Sequence, residues 1–324
     1  MKDIHYYLCR QLKGGGMEIK MKKNINFQRS KFKRNHVEKF SYVFLGIMCV
    51  IFIYPMFTAL MVSVSSAESI RNNGFQLIPD EFSLEAYRLL LEHYGDTLGR
   101  ALLVTIGTGL TDPLLTIVFT MSLAYPLSQS DFKGKEFIRK LLVVTMLFSG
   151  GLVPGYILRT RYLGLRDNIL IYLIPEVGAW NVFLFRTFFV NIDKSMVESA
   201  KLDGASKFQI LMKIMLPLTK SLVALQYFNA FLSRWNDINT PLYYITDRKL
   251  YTVQYLLQEM LRDAQQVKEA IEAGMSTSGM PVIDIPIEST RYAVAVIGAL
   301  PVFILFPYIQ KYYAKGIMLG STKG

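Results

Sequence analysis

The sequence predicts an all-α, polytopic membrane protein with six transmembrane helices. Three observations lead there. Hydrophobic residues make up 52% of the 324-residue chain and charged residues only 19%, against about 25% charged in an ordinary soluble domain. Runs of about 20 mostly apolar residues, the length a helix needs to cross a bilayer, recur along the chain. The connections between these runs alternate between a basic and an acidic balance.

Tyr42–Val64 supplies the first span and holds no charged residue. It starts too late, runs too long and lacks the small-residue cleavage pattern of a signal peptide. Ala101–Leu127 is the second span, interrupted by Asp112-Pro113, and Leu141–Leu158 the third, with Gly150, Gly151 and Pro154 inside it. Ile169–Val190 is the fourth, Leu216–Leu232 the fifth, short and polar at its end, and Tyr292–Ile309 the sixth.

Charge orients the set. Residues 1–40 carry eleven Lys or Arg against three Asp or Glu, residues 64–100 three against six, and residues 235–288 four against eight. Segments 129–140 and 191–220 are each +2. Basic connections stay on the cytoplasmic side, so both termini are expected there in a multi-pass protein of the cell membrane. One short loop departs: Arg159, Arg161 and Arg166 oppose only Asp167 on the side expected outside. The net charge of +11 is concentrated beside apolar spans, which fits a cytoplasmic face rather than a nucleic-acid groove. Residues 1–39 therefore read as a basic cytoplasmic tail and 40–324 as one transmembrane domain. The run Lys13-Gly14-Gly15-Gly16-Met17 reads either as part of that tail or as a ribosome-binding sequence translated ahead of a start at Met17 or Met21.

Cys9 lies in the basic tail and Cys49 in an apolar span, and the three histidines (His5, His36, His93) have no ligand spacing, so no disulfide framework and no metal site are expected. No catalytic constellation stands out. Asp112, Glu176 and Arg186 fall inside spans, where a bare charge is costly and faces a bundle interior or an aqueous path. Pairing with one another, pairing with a partner subunit, an interfacial position and contact with a solute all remain open. In the long segment 235–288, Thr252 can cap a helix that stops at Gly274. Val253, Leu256, Leu257, Met260, Leu261, Ala264, Val267 and Ile271 form one apolar face of that helix. It lies on the protein's own surface or touches an extracellular partner.

Residues 191–217 carry the strongest signal. Ala200, Leu202 and Ala205 are small or apolar, Lys201, Asp203, Lys207 and Lys213 keep the stretch wet, and Gly204 permits a turn with positive φ or close approach by another backbone. Pro217 marks where a new element can begin. A helix on the membrane surface accounts for these residues without any partner.

The same stretch resembles the Glu-Ala-Ala coupling loop of ABC importer permeases through Glu198-Ser199-Ala200, Asp203-Gly204-Ala205, Ile214 and Leu216-Pro217. Ser199 replaces the usual middle alanine, and Asp193 and Ser221 stand where many relatives have proline. Asn181, Arg186-Thr187-Phe188-Phe189, Trp235-Asn236-Asp237 and Pro241-Leu242 are similar to carbohydrate-uptake permeases related to the maltose transporter's MalG subunit. The ending from Gln310-Lys311-Tyr312-Tyr313 to Lys323-Gly324 resembles the LplC/YtcP branch, associated with complex oligosaccharides. Arg100 sits where relatives commonly have asparagine.

The resemblance implies a type I ABC importer permease fold over residues 40–324, with a cytoplasmic coupling loop at 191–217 and an extracellular segment at 235–288. It implies a second homologous permease subunit, two cytoplasmic ATPase subunits and an extracellular solute-binding protein as partners, an oligosaccharide as substrate, and the lipid bilayer as surroundings. The segment through Glu198, Ser199, Ala200, Asp203, Gly204, Ala205, Phe208 and Leu211 would sit in a groove on one ATPase. No GxxxxGK[ST] phosphate loop occurs in the chain, so ATP and magnesium are expected on the partner ATPases and no cofactor in this chain. The chain is then a transport subunit and not an enzyme. A sugar path combines aromatic faces with amide and hydroxyl groups, and the candidates are Tyr125, Tyr156, Asn181, Asn229 and Trp235. A permease for a non-sugar solute and a non-transporting membrane scaffold remain as alternatives.

Overall fold

The structure is a computed structural model and describes residues 25–272 and 287–321. Most of the basic tail, the expected helix stop at Gly274 and the last three residues lie outside that range. The chain divides into two units, Met1–Phe57 and Thr58–Gly324. In the first, all described residues belong to helix α1, Ile25–Ser63, which continues into the second unit and contains the predicted span Tyr42–Val64 except for its last residue.

The second unit holds the remaining elements: α2 (Ala67–Asn73), α3 (Glu85–Ser128), α4 (Lys135–Leu147) and α5 (Leu152–Ile157). These are followed by α6 (Ala179–Val190), α7 (Lys194–Leu202) and α8 (Lys207–Ile210). After a three-residue helical turn, Leu216–Leu218, come α9 (Lys220–Trp235), α10 (Asn239–Tyr244), α11 (Val253–Glu272) and α12 (Ile287–Ser321), with short 3₁₀ and π turns between the helices. Among the described residues every regular element is helical, apart from one isolated antiparallel bridge between Ser65 and Phe82.

Helix α3 is the pillar, 44 residues long and so about 66 Å at the helical rise. Helices α9 and α6 pack along it most extensively. Its burial pattern is that of a chain surrounded by lipid. Leu103, Ile106, Leu110, Leu114 and Val118 form an exposed apolar stripe, while Thr105, Thr108, Asp112, Thr116 and Thr120 are buried on the opposite face. The buried hydroxyls of Thr105, Thr108 and Thr120 donate to carbonyls four residues back, at 2.6–2.8 Å, so these three hydroxyl donors are satisfied within their own helix. Apolar burial provides little drive for helix association between lipid tails, and packing and hydrogen bonds supply it instead.

Where the spans were legible, helices run through them. The predicted sixth span lies within α12. The second lies within α3, and the expected interruption at Asp112-Pro113 is absent: the helix continues through Pro113. Proline removes the N–H that would bond the Gly109 carbonyl, and α9 closes over this point. Tyr227 Oη donates to the Leu110 carbonyl at 2.9 Å, and Phe231 lies so near Gly109 that a Cβ there would meet its ring at 3.4 Å.

The third, fourth and fifth spans are not straight helices. In the third, α4 ends at Leu147 and the chain restarts at Leu152, bent by 114°, because Gly151 takes a positive φ of 80° that a helix cannot include. In the fourth, a single 3₁₀ turn over Ile169–Leu173 is followed by extended chain to α6. Pro175 disfavours helical geometry at the residue before it, and Ile174 is indeed extended. Helix α6 has 12 residues, about 18 Å, short of the ~30 Å apolar core of a bilayer. In the fifth, Pro217 supplies no N–H to the Lys213 carbonyl, the backbone loosens into a π turn over Leu211–Met215, and the axis bends by 82° before α9. Glu38–Ser63 and Tyr94–Ser128 are each long and apolar enough to cross a membrane, and the two bent pairs meet the same test when each is taken together.

Helix α11 begins where expected, and Val253, Leu256, Leu257 and Met260 are buried. Its cap differs from the sequence reading. The Thr252 hydroxyl donates to the Asp237 carbonyl at 3.2 Å. The Val253 N–H is instead taken at 2.8 Å by Thr105 Oγ1 of α3, so a residue 148 positions away caps this helix. Replacing Thr105 with Val should leave that buried N–H unpaired, at a cost of ~1–3 kcal/mol. The expected result is a lower unfolding temperature in detergent for Thr105→Val, with Thr105→Ser close to wild type.

Candidate functional site

Four elements line a cavity of about 1060 Å³ in the second unit. Helix α3 contributes Asp112, Thr116 and Thr120, spaced four apart and therefore on one face. The segment entering α6 contributes Glu176, Trp180 and Asn181; α9 and the turn after it contribute Gln226, Asn229, Arg234, Asn236 and Asp237; α10 contributes Tyr243 and Tyr244. Amides, hydroxyls, carboxylates and aromatic faces thus share one concave wall.

The electrostatic centre of that wall is Arg234. Its Nε donates to Asp112 Oδ2 at 3.0 Å and a terminal nitrogen donates to Asp237 Oδ2 at 2.7 Å. The side chains of Arg234 and Asp112 are each only 6% exposed. Asp237 uses its other oxygen as well, accepting the Thr240 N–H at 3.0 Å and so capping α10. Asp112 Oδ1 is buried and has no hydrogen-bond partner among the described residues. On the other side of the cavity, Arg159 donates to Tyr244 Oη at 3.3 Å and lies 5.5 Å from the centre of the Tyr244 ring, a cation–π distance.

Of the three charges noted inside spans, Asp112 pairs with Arg234 and Arg186 Nε donates to the Leu127 carbonyl at 3.0 Å. Glu176 faces the cavity. Arg234 itself did not emerge from the sequence. A signal existed, since a carboxylate within an apolar run requires a counter-charge and Arg234 stands three residues before Asp237 at the end of the fifth span.

The residues expected along a sugar path separate into two groups. Asn181 and Asn229 line the cavity. Tyr156 is one layer behind, stacked on Tyr244 with ring centres 5.6 Å apart. Tyr125 is buried in the core beneath, edge-on to Phe189. Trp235 is 1% exposed, with Nε1 donating to the Gly298 carbonyl at 3.0 Å. Trp180 and Tyr243, which sequence reasoning passed over, present the aromatic surface of the cavity instead.

The loop after α6 is built by local rules. Asp193 accepts the Ser195 N–H and caps α7. Helix α7 closes in a Schellman motif, with the Ala205 N–H donating to the Ala200 carbonyl and the Gly204 N–H to that of Lys201. Gly204 occupies the left-handed position that this motif requires, with φ 77°. A Cβ at Gly204 would meet no atom of this chain within 4 Å, so the turn geometry, and not close packing within the chain, demands glycine. Ser206 and Gln209 then form a reciprocal capping box for α8.

Ala200, Ala205 and Leu211 pack inward on the cluster that contains Phe185, Phe189 and Met215. Glu198, Ser199, Asp203 and Gly204 face outward. So do two large apolar side chains, Leu202 at 89% and Phe208 at 67% exposed. Lys207 Nζ holds Asp131 Oδ2 at 3.1 Å, tying this loop to the one after α3. That hydrogen bond keeps the Asp131 carboxyl below the usual aspartate range. A lowered value in the folded state means the tie is kept at neutral pH and lost only as pH falls through that value.

With these features in place the comparisons with known proteins are direct. Residues 28–318 match the family described as binding-protein-dependent transport system inner membrane component. The chain belongs to this family of ABC importer permeases. It is 33% identical to the polygalacturonan/rhamnogalacturonan transport system permease protein YtcP of Bacillus subtilis, over 87% of this chain and 96% of that protein. It is 30% identical to the protein LplC of the same organism, over 87% and 93% of the two chains. A chain from the crystal structure of a bacterial ABC transporter involved in the import of the acidic polysaccharide alginate superposes with a TM-score of 0.73 at 26% identity, covering 87% of this chain and 98% of that one.

Replacing Arg234 with Leu should be strongly destabilising, by ~3–5 kcal/mol, because two carboxylates lose their shared counter-charge in a nearly dry site. Size-exclusion profiles and thermal unfolding in detergent should show loss of folded protein. Combining Arg234→Leu with Asp112→Asn and Asp237→Asn should recover a substantial part of it.

Proposed function

We propose that this chain is a permease subunit of an ATP-driven, binding-protein-dependent importer that carries oligosaccharides or polysaccharide fragments across the cell membrane. The observation that carries the substrate class is the cavity wall, where Trp180 and Tyr243 stand beside the amides of Asn181, Gln226 and Asn229. Flat apolar faces next to many hydrogen-bonding groups match the two kinds of surface on a sugar ring. The names of the relatives point the same way, since YtcP is described as a permease of a polygalacturonan/rhamnogalacturonan transport system and the structural neighbour belongs to a transporter involved in alginate import.

In this reading the chain crosses the membrane six times with both ends cytoplasmic, the bent and interrupted segments lining the solute path. A second, homologous permease completes the cavity. A solute-binding protein delivers the sugar from outside, and two ATPase subunits bind ATP and magnesium. The loop through Glu198–Leu211 docks in a groove of one ATPase. Its outward Leu202 and Phe208 supply apolar anchors, and Glu198, Ser199 and Asp203 a polar rim. Ala200, Ala205 and Leu211 seat it on the bundle, so that closure of the ATPases moves α6 and α9 with it and shifts the bundle between two states.

The substrate class is tested by uptake of labelled oligogalacturonides and maltodextrins into proteoliposomes that contain the complete transporter and its binding protein. Sugar-dependent uptake and ATP hydrolysis are the expected result, and transport of an amino acid or phosphate in place of any sugar would overturn it.

The docking reading predicts that Gly204→Val prevents recovery of the ATPase with the permease and abolishes binding-protein-stimulated ATP hydrolysis, because a β-branched residue resists positive φ. Lys194→Ala, on the same loop, should behave as wild type within about a factor of two, as exposed lysines contribute little. Normal assembly and hydrolysis in Gly204→Val would place the interface elsewhere.

A further inference from the structure

The buried ion cluster of the cavity wall is incomplete on one side. Arg234 serves two carboxylates, Asp112 and Asp237. Both oxygens of Asp237 are engaged, Oδ2 by Arg234 and Oδ1 by the Thr240 N–H. Asp112 has one oxygen engaged by Arg234, while the other is buried without a partner among the described residues. Its residue is 4% exposed and belongs to the cavity wall. A buried acceptor left unpaired costs free energy, and two carboxylates around one guanidinium leave the cluster with excess negative charge. A hydrogen-bond donor arriving from the cavity satisfies that acceptor and stabilises its charge without neutralising it. An anion would be repelled. Thr116, one helical turn along α3 from Asp112, extends the same wall and offers a second hydroxyl-binding group.

We infer that Asp112 Oδ1 is a substrate-binding acceptor of this permease, taking a hydrogen bond from a sugar hydroxyl as the solute crosses the cavity. Arg234 is then a positioning residue, since its bond to Oδ2 fixes the Asp112 carboxylate in the cavity wall. Hydroxyls are common to neutral and acidic sugars, so this contact recognises the polyol character of the solute and not its charge. The inference rests on the reading of the cavity as an oligosaccharide path.

Asp112→Asn separates a ligand role from a structural one. An asparagine can keep its side-chain oxygen on Arg234 Nε and so place its NH₂ donor where the free acceptor was. The measurement is sugar carried per ATP hydrolysed, in proteoliposomes holding the complete transporter and its binding protein, with labelled tetragalacturonate and maltotetraose as probes. For whichever probe the wild type carries, Asp112→Asn should lower that ratio by at least about threefold, reflecting an affinity loss of about tenfold for a charged acceptor. Asp112→Glu, which restores a carboxylate, should recover part of it. Thr105→Val, a fold lesion outside the cavity, should lower uptake and ATP hydrolysis together and leave the ratio unchanged. An unchanged ratio in Asp112→Asn would overturn the inference while leaving the function intact. Failure of the wild type to carry either probe would overturn the oligosaccharide reading, and the inference with it.

Discussion

The polar interior of the bundle depends on Arg234. A guanidinium that is 6% exposed is tolerable only when its charge and donors are met, and in apolar surroundings the cost of leaving it unmet is higher still. The bonds to Asp112 and Asp237 meet that need and thereby set one turn of α9 against one turn of α3. They also hold the start of α10 through the Asp237 cap. These are the elements that form the cavity wall, so the position of the wall follows from the pairing of charges. Hydrophobic packing allows helices to slide past one another by small steps, whereas a two-sided ion pair admits one register.

The rest of the wall is organised by satisfaction of backbone groups. Thr105 supplies an acceptor to the first N–H of α11, Trp235 donates to the Gly298 carbonyl of α12, and Arg186 donates to the Leu127 carbonyl near the end of α3. Each bond joins a side chain on one helix to the backbone of another, and in each case the recipient is a group that its own helix leaves free or shares. In a medium without water such groups have no other partner, and this is why polar side chains recur at the contacts between otherwise apolar helices.

The parts that were legible in the sequence are those that depend on composition over a long window. The runs within α1, α3 and α12 are helical as expected, because 20 apolar residues have few alternatives to a helix in lipid. The third to fifth runs are apolar enough, but Gly151, Pro175 and Pro217 act at single positions, and whether a proline interrupts a helix depends on its neighbours. Pro113 illustrates the opposite outcome, since Tyr227 and Phe231 close over it and α3 runs on. Positive φ at Gly204 was readable because a polar helix ending at Gly has one common solution. Asn181 and Asn229 were readable as polar residues in apolar surroundings. Trp235 was not, because an indole serves equally as core or as ligand surface, and its partner Gly298 is 63 residues away. Arg234 was hidden for the same reason: at the polar end of a span an arginine looks like an interfacial anchor.

Helix α3 bears ties at Thr105 to α11, at Leu110 and Asp112 to α9, and at Leu127 to α6, and the loop that leaves it is held at Asp131 by Lys207. From Thr105 to Leu127 is about 33 Å of unbroken helix at 1.5 Å per residue. A rod fastened at so many points cannot shift locally without breaking several bonds together. Tilting it against any one neighbour strains its bonds to the others as well, so its register against α6, α9 and α11 is fixed jointly.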